Sequence, residues 1–256
     1  MTAVKVFSLA YMNAEIIARS FEQLYATKNP DLKIEHHVLW QHYPLDTEAN
    51  YKKLQENCRI LGIRLHDAGQ NLGLHGGFNW LFQRLRPSPN EVVIGYDPDS
   101  FPVAPGWDMA LVRAIEGSGG KTVWASLMNP RSRKDLEARG FNKGKVDGHL
   151  EVWHTKSAVT NSVCAFKYEW LMRVGFTEPR PFYGHFETEM YGKLRGKQWT
   201  FLPGYTEADH LRDLHDIEYV HWKWVHAHLK TFDGDFGQWL ASGKPGLEPQ
   251  APKRLP

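Results

Sequence analysis

The sequence predicts an α/β fold, a mainly parallel sheet flanked by helices, with a small mixed region in the second half of the chain. Two observations predict it. Short β-type runs alternate with helix-period segments through the first hundred residues, and strands alternating with helices imply right-handed βαβ crossovers. The chain has 256 residues, 42% hydrophobic and 23% charged, which is the composition and size of a soluble globular protein with a core of its own.

Val4 to Leu9 reads as the first strand. Asn13 is a suitable helix cap, and Ile17, Phe21 and Leu24 follow at i, i+4 and i+7, the spacing of one apolar helix face. Ile34 to Trp40 reads as the second strand, Thr47 caps a helix through Leu61, and Ile63 to His66 is a brief third strand. A helix from about Leu74 to Leu85 leads to a fourth strand, Glu91 to Tyr96. Beyond residue 105 the pattern mixes: Trp107 to Glu116 is helical, Thr122 to Leu127 strand-like, and Arg131 to Gly148 polar and glycine-rich, the expected mobile loop. A helix at Tyr168 to Val174, an acidic segment at Glu187 to Leu194 and a strand at Trp199 to Leu202 complete the pattern. The tail from Gly243 has almost nothing to bury and is expected to be disordered.

Bulk properties exclude some functions. Thirty-one Lys and Arg against 29 Asp and Glu give a net charge of +2, so no overall basic field argues for nucleic acid. Cys58 and Cys164 lie far apart and form no zinc-binding pattern, which points to a reduced, cytosolic pair. The N-terminal apolar stretch is too short and too soon interrupted for a signal peptide, and no run approaches the roughly 20 apolar residues of a membrane span. A cytoplasmic protein with at most peripheral membrane contact is expected.

In parallel sheets of this kind ligands bind outside the carboxyl ends of the strands. There stands IGYDPDSFP, residues 94 to 102, with two carboxylates two apart directly after a buried strand. Asp99 can reach a divalent cation while Asp97 touches a ribose or the same metal. A hard cation between carboxylates and a diphosphate suits Mn2+ or Mg2+, and it would neutralise charge on a leaving diphosphate. Asp-Pro-Asp also makes a simple turn. Upstream, NLGLHGGFN (residues 71 to 79) opens the helix before that strand. Its glycines allow close approach of a ligand or, equally, of a packed neighbour.

In these segments the chain resembles the GT-A glycosyltransferases, particularly the large family-2-like group. Ala10-Tyr11-Met12-Asn13 is similar to that family's loop after the first strand, and Asn71, Gly73, Gly76, Gly77 and Asn79 to its Asn-x-Gly…Gly-Gly…Asn segment. Asp97-Pro98-Asp99 matches its DxD motif, followed by Pro-Gly-Trp at 105 to 107, VGF at 174 to 176, an acidic segment at 187 to 189 and a later His. The likeness spans residues 4 to 210 and does not name a substrate. It implies a Rossmann-like GT-A domain over residues 1–242, with a nucleotide-sugar half (1–105), an acceptor half (106–242) and a flexible tail (243–256).

What the resemblance implies for the site is specific. Ala10, Tyr11, Asn13, Gln41, Asn71, Gly73, Gly76, Gly77, Asn79 and Asp97 would bind a nucleoside diphosphate sugar, with UDP favoured. Asp97 and Asp99 would hold Mn2+ or Mg2+, and His210, with His215 behind it, would complete the metal set. The family's base-reading Asp after the second strand is missing; Gln41 stands nearest and Asp46 further on. The family's Glu-Asp pair is replaced by Phe186-Glu187-Thr188-Glu189, leaving Glu187, then Glu189, to take the proton from an acceptor hydroxyl in an inverting transfer. Both are equally acids at a helix start, where the dipole favours them. His221, His226 and His228 with Trp222 and Trp224 read as a wet amphipathic helix. A glycan, a lipid-linked glycan, a protein or a modified nucleic-acid base all remain open as acceptor. The competing functions are a non-catalytic carbohydrate- or nucleic-acid-binding protein on a degenerate GT-A scaffold, and a sugar nucleotidyltransferase. The latter lacks its Gly-rich, Arg-containing phosphate loop here.

Overall fold

The structure, a computed structural model, describes residues 3–11, 14–42, 47–98, 100–128, 138, 141–155, 163–174, 192–194 and 196–203. Asn13, Asp46, Asp99, Glu187, Glu189, His210, His215, the 221–230 segment and the tail lie outside the described residues.

The first half follows the expected alternation: β1 (Val4–Ala10), α1 (Ala14–Thr27), β2 (Ile34–Trp40), α2 (Glu48–Leu61), β3 (Arg64–Asp67), α3 (Gly73–Leu85) and β4 (Val92–Tyr96). The second half holds α4 (Trp107–Glu116), β5 (Thr122–Met128), β6 (Asn142–Val146), β7 (Leu150–Thr155), β8 (Val163–Lys167), α5 (Tyr168–Val174) and β9 (Gln198–Pro203). Local chemistry sets the ends. Thr47 Oγ1 accepts from Asn50 N at 3.2 Å, and α2 stops at Gly62, whose φ of 69° is the left-handed cap.

The strands form one sheet in the order β3-β2-β1-β4-β8-β5-β9-β7-β6. From β3 to β4 every neighbour is parallel. Beyond β4 the pairing turns mixed: β8 runs antiparallel to both β4 and β5, β9 parallel to β5, and β7 antiparallel to β9 and β6. The parallel character thus belongs to the first half.

Successive residues of β1 point to opposite faces. Val6 joins Phe21, Leu24, Leu54, Cys58, Trp107 and Leu111 from α1, α2 and α4. Phe7 joins Leu81, Phe82 and Leu171 from α3 and α5, with Trp124, Phe166 and Trp199 of the sheet. The sheet is therefore covered on both sides, as buried parallel strands require.

One expectation is corrected. Residues 142–146 of the expected 131–148 loop are a strand, paired with β7 from Asn142↔His154 to Val146↔Leu150. Asp147 (φ 50°) and Gly148 (φ 76°) make the turn. Asn142, Lys143 and Lys145 are exposed, since this strand lies at the sheet edge and carries no apolar alternation to betray it. Lys143 sits 5.8 Å over the Trp153 ring and 3.1 Å from Glu151, the charged dressing that protects edges from further pairing.

Candidate functional site

The carboxyl ends of β1, β2 and β4 are neighbours in register, with Ala10 beside Trp40 and Phe7 beside Gly95. Tyr11, Gln41 and Asp97 each follow directly on one of these ends. The start of α3 closes on the same edge, joined to it by Gln41.

Gln41 is 2% exposed. Its backbone N–H donates to Ala10 O at 2.9 Å. Its side chain spans to the next layer, with Leu72 N donating to Oε1 at 2.9 Å and Nε2 donating to Gly73 O at 3.1 Å. Asn71 works beside it, its Oδ1 accepting from Gly73 N at 2.8 Å. Two side chains therefore satisfy the first backbone donors of α3 and fix its N-terminus, which is positive and favours anions. Gly73 takes φ 65°, a conformation that suits glycine. Gly77 has a different reason: a Cβ there would overlap Gln41 Nε2 and stand 2.8 Å from Leu9 Cδ2. Its absent side chain lets α3 lie against β1 and β2. A Cβ at Gly76 would meet only Leu72 Cβ, at 3.2 Å. Asn79 lies further along α3, half-buried.

At the next strand end, Asp67 closes β3. His42 Nε2 lies 2.5 Å from its Oδ1, and Gly69 N donates to the same oxygen at 2.6 Å. Burial raises the Asp67 carboxyl, but the bonds from His42 and Gly69 outweigh it and hold the group below its ordinary value. His42 has φ 48°, a left-handed conformation that His, like Asn and Asp, adopts more readily than most residues. Both side chains are more than a third exposed. Sequence reasoning missed this pair because it ended the third strand at His66. The available signal was Asp67-Ala68-Gly69, a carboxylate ahead of a turn residue.

Asp97 is half-buried at the end of β4, and Ser100 N donates to its carbonyl at 3.0 Å. Among the described residues no group of three or more His, Cys, Asp and Glu side chains comes together. Of the expected metal set, Asp97 alone is within them. As a carboxylate at the sheet edge it fits a hard cation such as Mn2+ or Mg2+, which takes oxygen ligands. Asp99 and His210 would add one more oxygen and one imidazole. Among the described residues no helix is long and apolar enough to cross a membrane.

No family model matches the sequence, and no curated protein matches it. Solved structures do. GalNAc-T7, solved with UDP, GalNAc and Mn2+, superposes with a TM-score of 0.60 at 14% identity, over 78% of this chain and 42% of that one. The mannosyltransferase PcManGT of Pyrobaculum calidifontis, in complex with GDP-Man and Mn2+, gives 0.57 at 16% identity, over 91% and 65%. The chain thus spans less than two thirds of either protein. At such identities the likeness establishes the fold: the chain adopts the GT-A fold of glycosyltransferases.

Proposed function

We propose that the chain is a metal-dependent, family-2-like glycosyltransferase that moves a sugar from a nucleoside diphosphate sugar to an acceptor hydroxyl, with inversion. The observation that carries this is the meeting of Tyr11, the Asn71-braced start of α3 and Asp97 at one carboxyl edge of parallel strands, on a fold whose solved examples hold UDP or GDP-Man with Mn2+.

The division of labour follows from the chemistry. The diphosphate lies against the positive N-terminus of α3. Asp97 and Asp99, with His210, hold Mn2+ or Mg2+, which when bound neutralises the charge left on the departing diphosphate. Gln41 has its amide engaged with Leu72 and Gly73, so the nucleoside end of the donor falls to Asp67 and His42. A carboxylate held ionised by His42 and Gly69 is a ready acceptor for ribose hydroxyls or base N–H groups. Glu187, with Glu189 second, takes the proton from the acceptor hydroxyl as it attacks the anomeric carbon. UDP is the favoured nucleotide; glycan, lipid-linked glycan, protein and modified base remain the acceptor classes.

The test is thermal unfolding with UDP, GDP and their sugars, each with and without Mn2+. A ligand at about 100 times its Kd stabilises by about 2.7 kcal/mol, several degrees for a domain of this size. A metal-dependent rise with one nucleotide is expected and names the base. Donor and acceptor binding without product, across metals and pH, would instead favour a non-catalytic binding protein on this scaffold.

A further inference from the structure

One helix grips the chain on both sides of Asp97. Ser20, on α1, and Tyr96, the last residue of β4, are both buried, and their hydroxyls lie 2.7 Å apart. Both converge on one backbone oxygen: Tyr96 Oη donates to Ser100 O at 2.5 Å, and Ser20 Oγ donates to it at 2.7 Å. One turn along α1, Gln23 Nε2 donates to Pro102 O at 3.1 Å. Ser20 and Gln23, at i and i+3, form a polar stripe beside the apolar Ile17, Phe21 and Leu24 stripe, so the same helix packs on the sheet and holds the loop.

The hold brackets Asp97. Tyr96 immediately precedes Asp97 and Ser100 immediately follows Asp99, and the carbonyl that both hydroxyls seize belongs to the residue whose N–H donates to Asp97 O. A segment fixed at Ser100 by two buried hydroxyls, and at its entrance by a strand, leaves Asp97 little freedom to re-aim. Groups that orient metal ligands without touching the metal commonly change affinity by 10–100-fold when removed.

We propose that Ser20 and Tyr96 are positioning residues for metal binding at the end of β4, setting the aim of Asp97 from behind through the Ser100 carbonyl. The proposal rests on the metal-dependent function above, so its test separates the two. Tyr96→Phe, Ser20→Ala and Gln23→Ala are titrated with Mn2+ in the presence of UDP or GDP, with free Mn2+ read by its electron paramagnetic resonance signal. Asp97→Ala and the remote, buried Cys58→Ala serve as references, and the Tm of every variant is recorded. Tyr96→Phe and Ser20→Ala are expected to weaken Mn2+ binding by about tenfold or more while nucleotide affinity without metal stays at the wild-type value. Cys58→Ala keeps the wild-type Mn2+ affinity even if its Tm falls as far.

Wild-type Mn2+ affinity in both hydroxyl variants, with affinity lost in Asp97→Ala, overturns the clamp and leaves the metal site standing. Full Mn2+ binding by Asp97→Ala, or none by the wild type, overturns the metal site and the clamp with it. An equal loss in Cys58→Ala reduces the effect to general destabilisation and overturns the clamp alone. If the hydroxyl variants fail to fold, Gln23→Ala, less buried, decides: a smaller loss of Mn2+ affinity upholds the clamp, and none overturns it.

Discussion

The side-chain amide of Gln41 occupies the space that a side chain at residue 77 would need. Gln41 also bridges β2 to Leu72 and Gly73, so the amide that braces the start of α3 is the one that demands a glycine in its first turns. Replacing Gly77 with Ala forces either the amide off its two backbone partners or the helix off Leu9. Overpacking of this kind costs about 1–3 kcal/mol, and a urea melt of Gly77→Ala should show a loss in that range. In a Gln41→Ala background the same substitution should cost clearly less, because the nearest obstructing atom is gone and only the Leu9 methyls remain in the way. Additive losses would refute the coupling.

This relationship marks where the sequence stops being legible. The βαβ alternation, the Thr47 cap and the limits of α4 could all be read directly, because periodicity and capping chemistry are local. The same window holds Gln41 at the right place for a base reader, but nothing local shows its amide bonded to a backbone 31 residues away. Asp67 was passed over for a single residue of strand length. The β6 strand was hidden because Asn142, Lys143 and Lys145 face solvent at an edge, where a strand needs no apolar period. β8, VCAFK, is a five-residue buried run, a length at which strand and helix cannot be told apart without its partners β4 and β5.

Asp67 gives the second prediction. If Asp67 and His42 receive the nucleoside, Asp67→Asn should weaken nucleotide binding by about tenfold, the worth of one charge-assisted hydrogen bond, without altering the Mn2+ dependence proposed for Asp97. Isothermal titration with UDP and GDP measures it. The Asp67 carboxyl sits below its ordinary value in the fold, so its contribution to stability is present above the unfolded-state value and is lost as pH falls through the lower, folded one. Nucleotide affinity unchanged in Asp67→Asn would return the base-reading role to another residue.

The third concerns the chemistry. Asp99→Ala should nearly abolish transfer, since one carboxylate of the proposed metal pair is gone. Glu187→Gln should leave donor binding intact and lower kcat by about 10²–10⁴-fold, the range for losing a general base. Assays of kcat against donor KM separate the two effects. Wild-type turnover in Asp99→Ala would rule out the metal role of that residue, and wild-type kcat in Glu187→Gln would pass the base to Glu189.

The last prediction is a pH dependence of the fold itself. His36 and His37 stand side by side on β2, each buried, with His36 Nε2 2.9 Å from Ser8 Oγ and His37 Nδ1 3.1 Å from His66 Nε2. Burial, aided by His37, lowers His36 to about 3. Burial first, then the nearby His66, Arg64 and Lys5, lowers His37 to about 4. In the unfolded chain both imidazoles protonate below about pH 6.5, while in the fold they stay neutral until those lower values. Their stabilising contribution is therefore full above pH 6.5 and is lost as pH falls toward 4 and 3, at up to about 1.4 kcal/mol per pH unit for each ring. Half-buried His66 and His154 are lowered too, chiefly by burial, and act with the same sign. Urea midpoints should fall steadily from pH 6.5 to pH 5, a window above the titration of ordinary carboxylates. His37→Phe, next to the Phe7 ring that His37 stacks on at 5.9 Å, should reduce that slope. A midpoint flat across the window would mean that the paired histidines take up protons in the folded state.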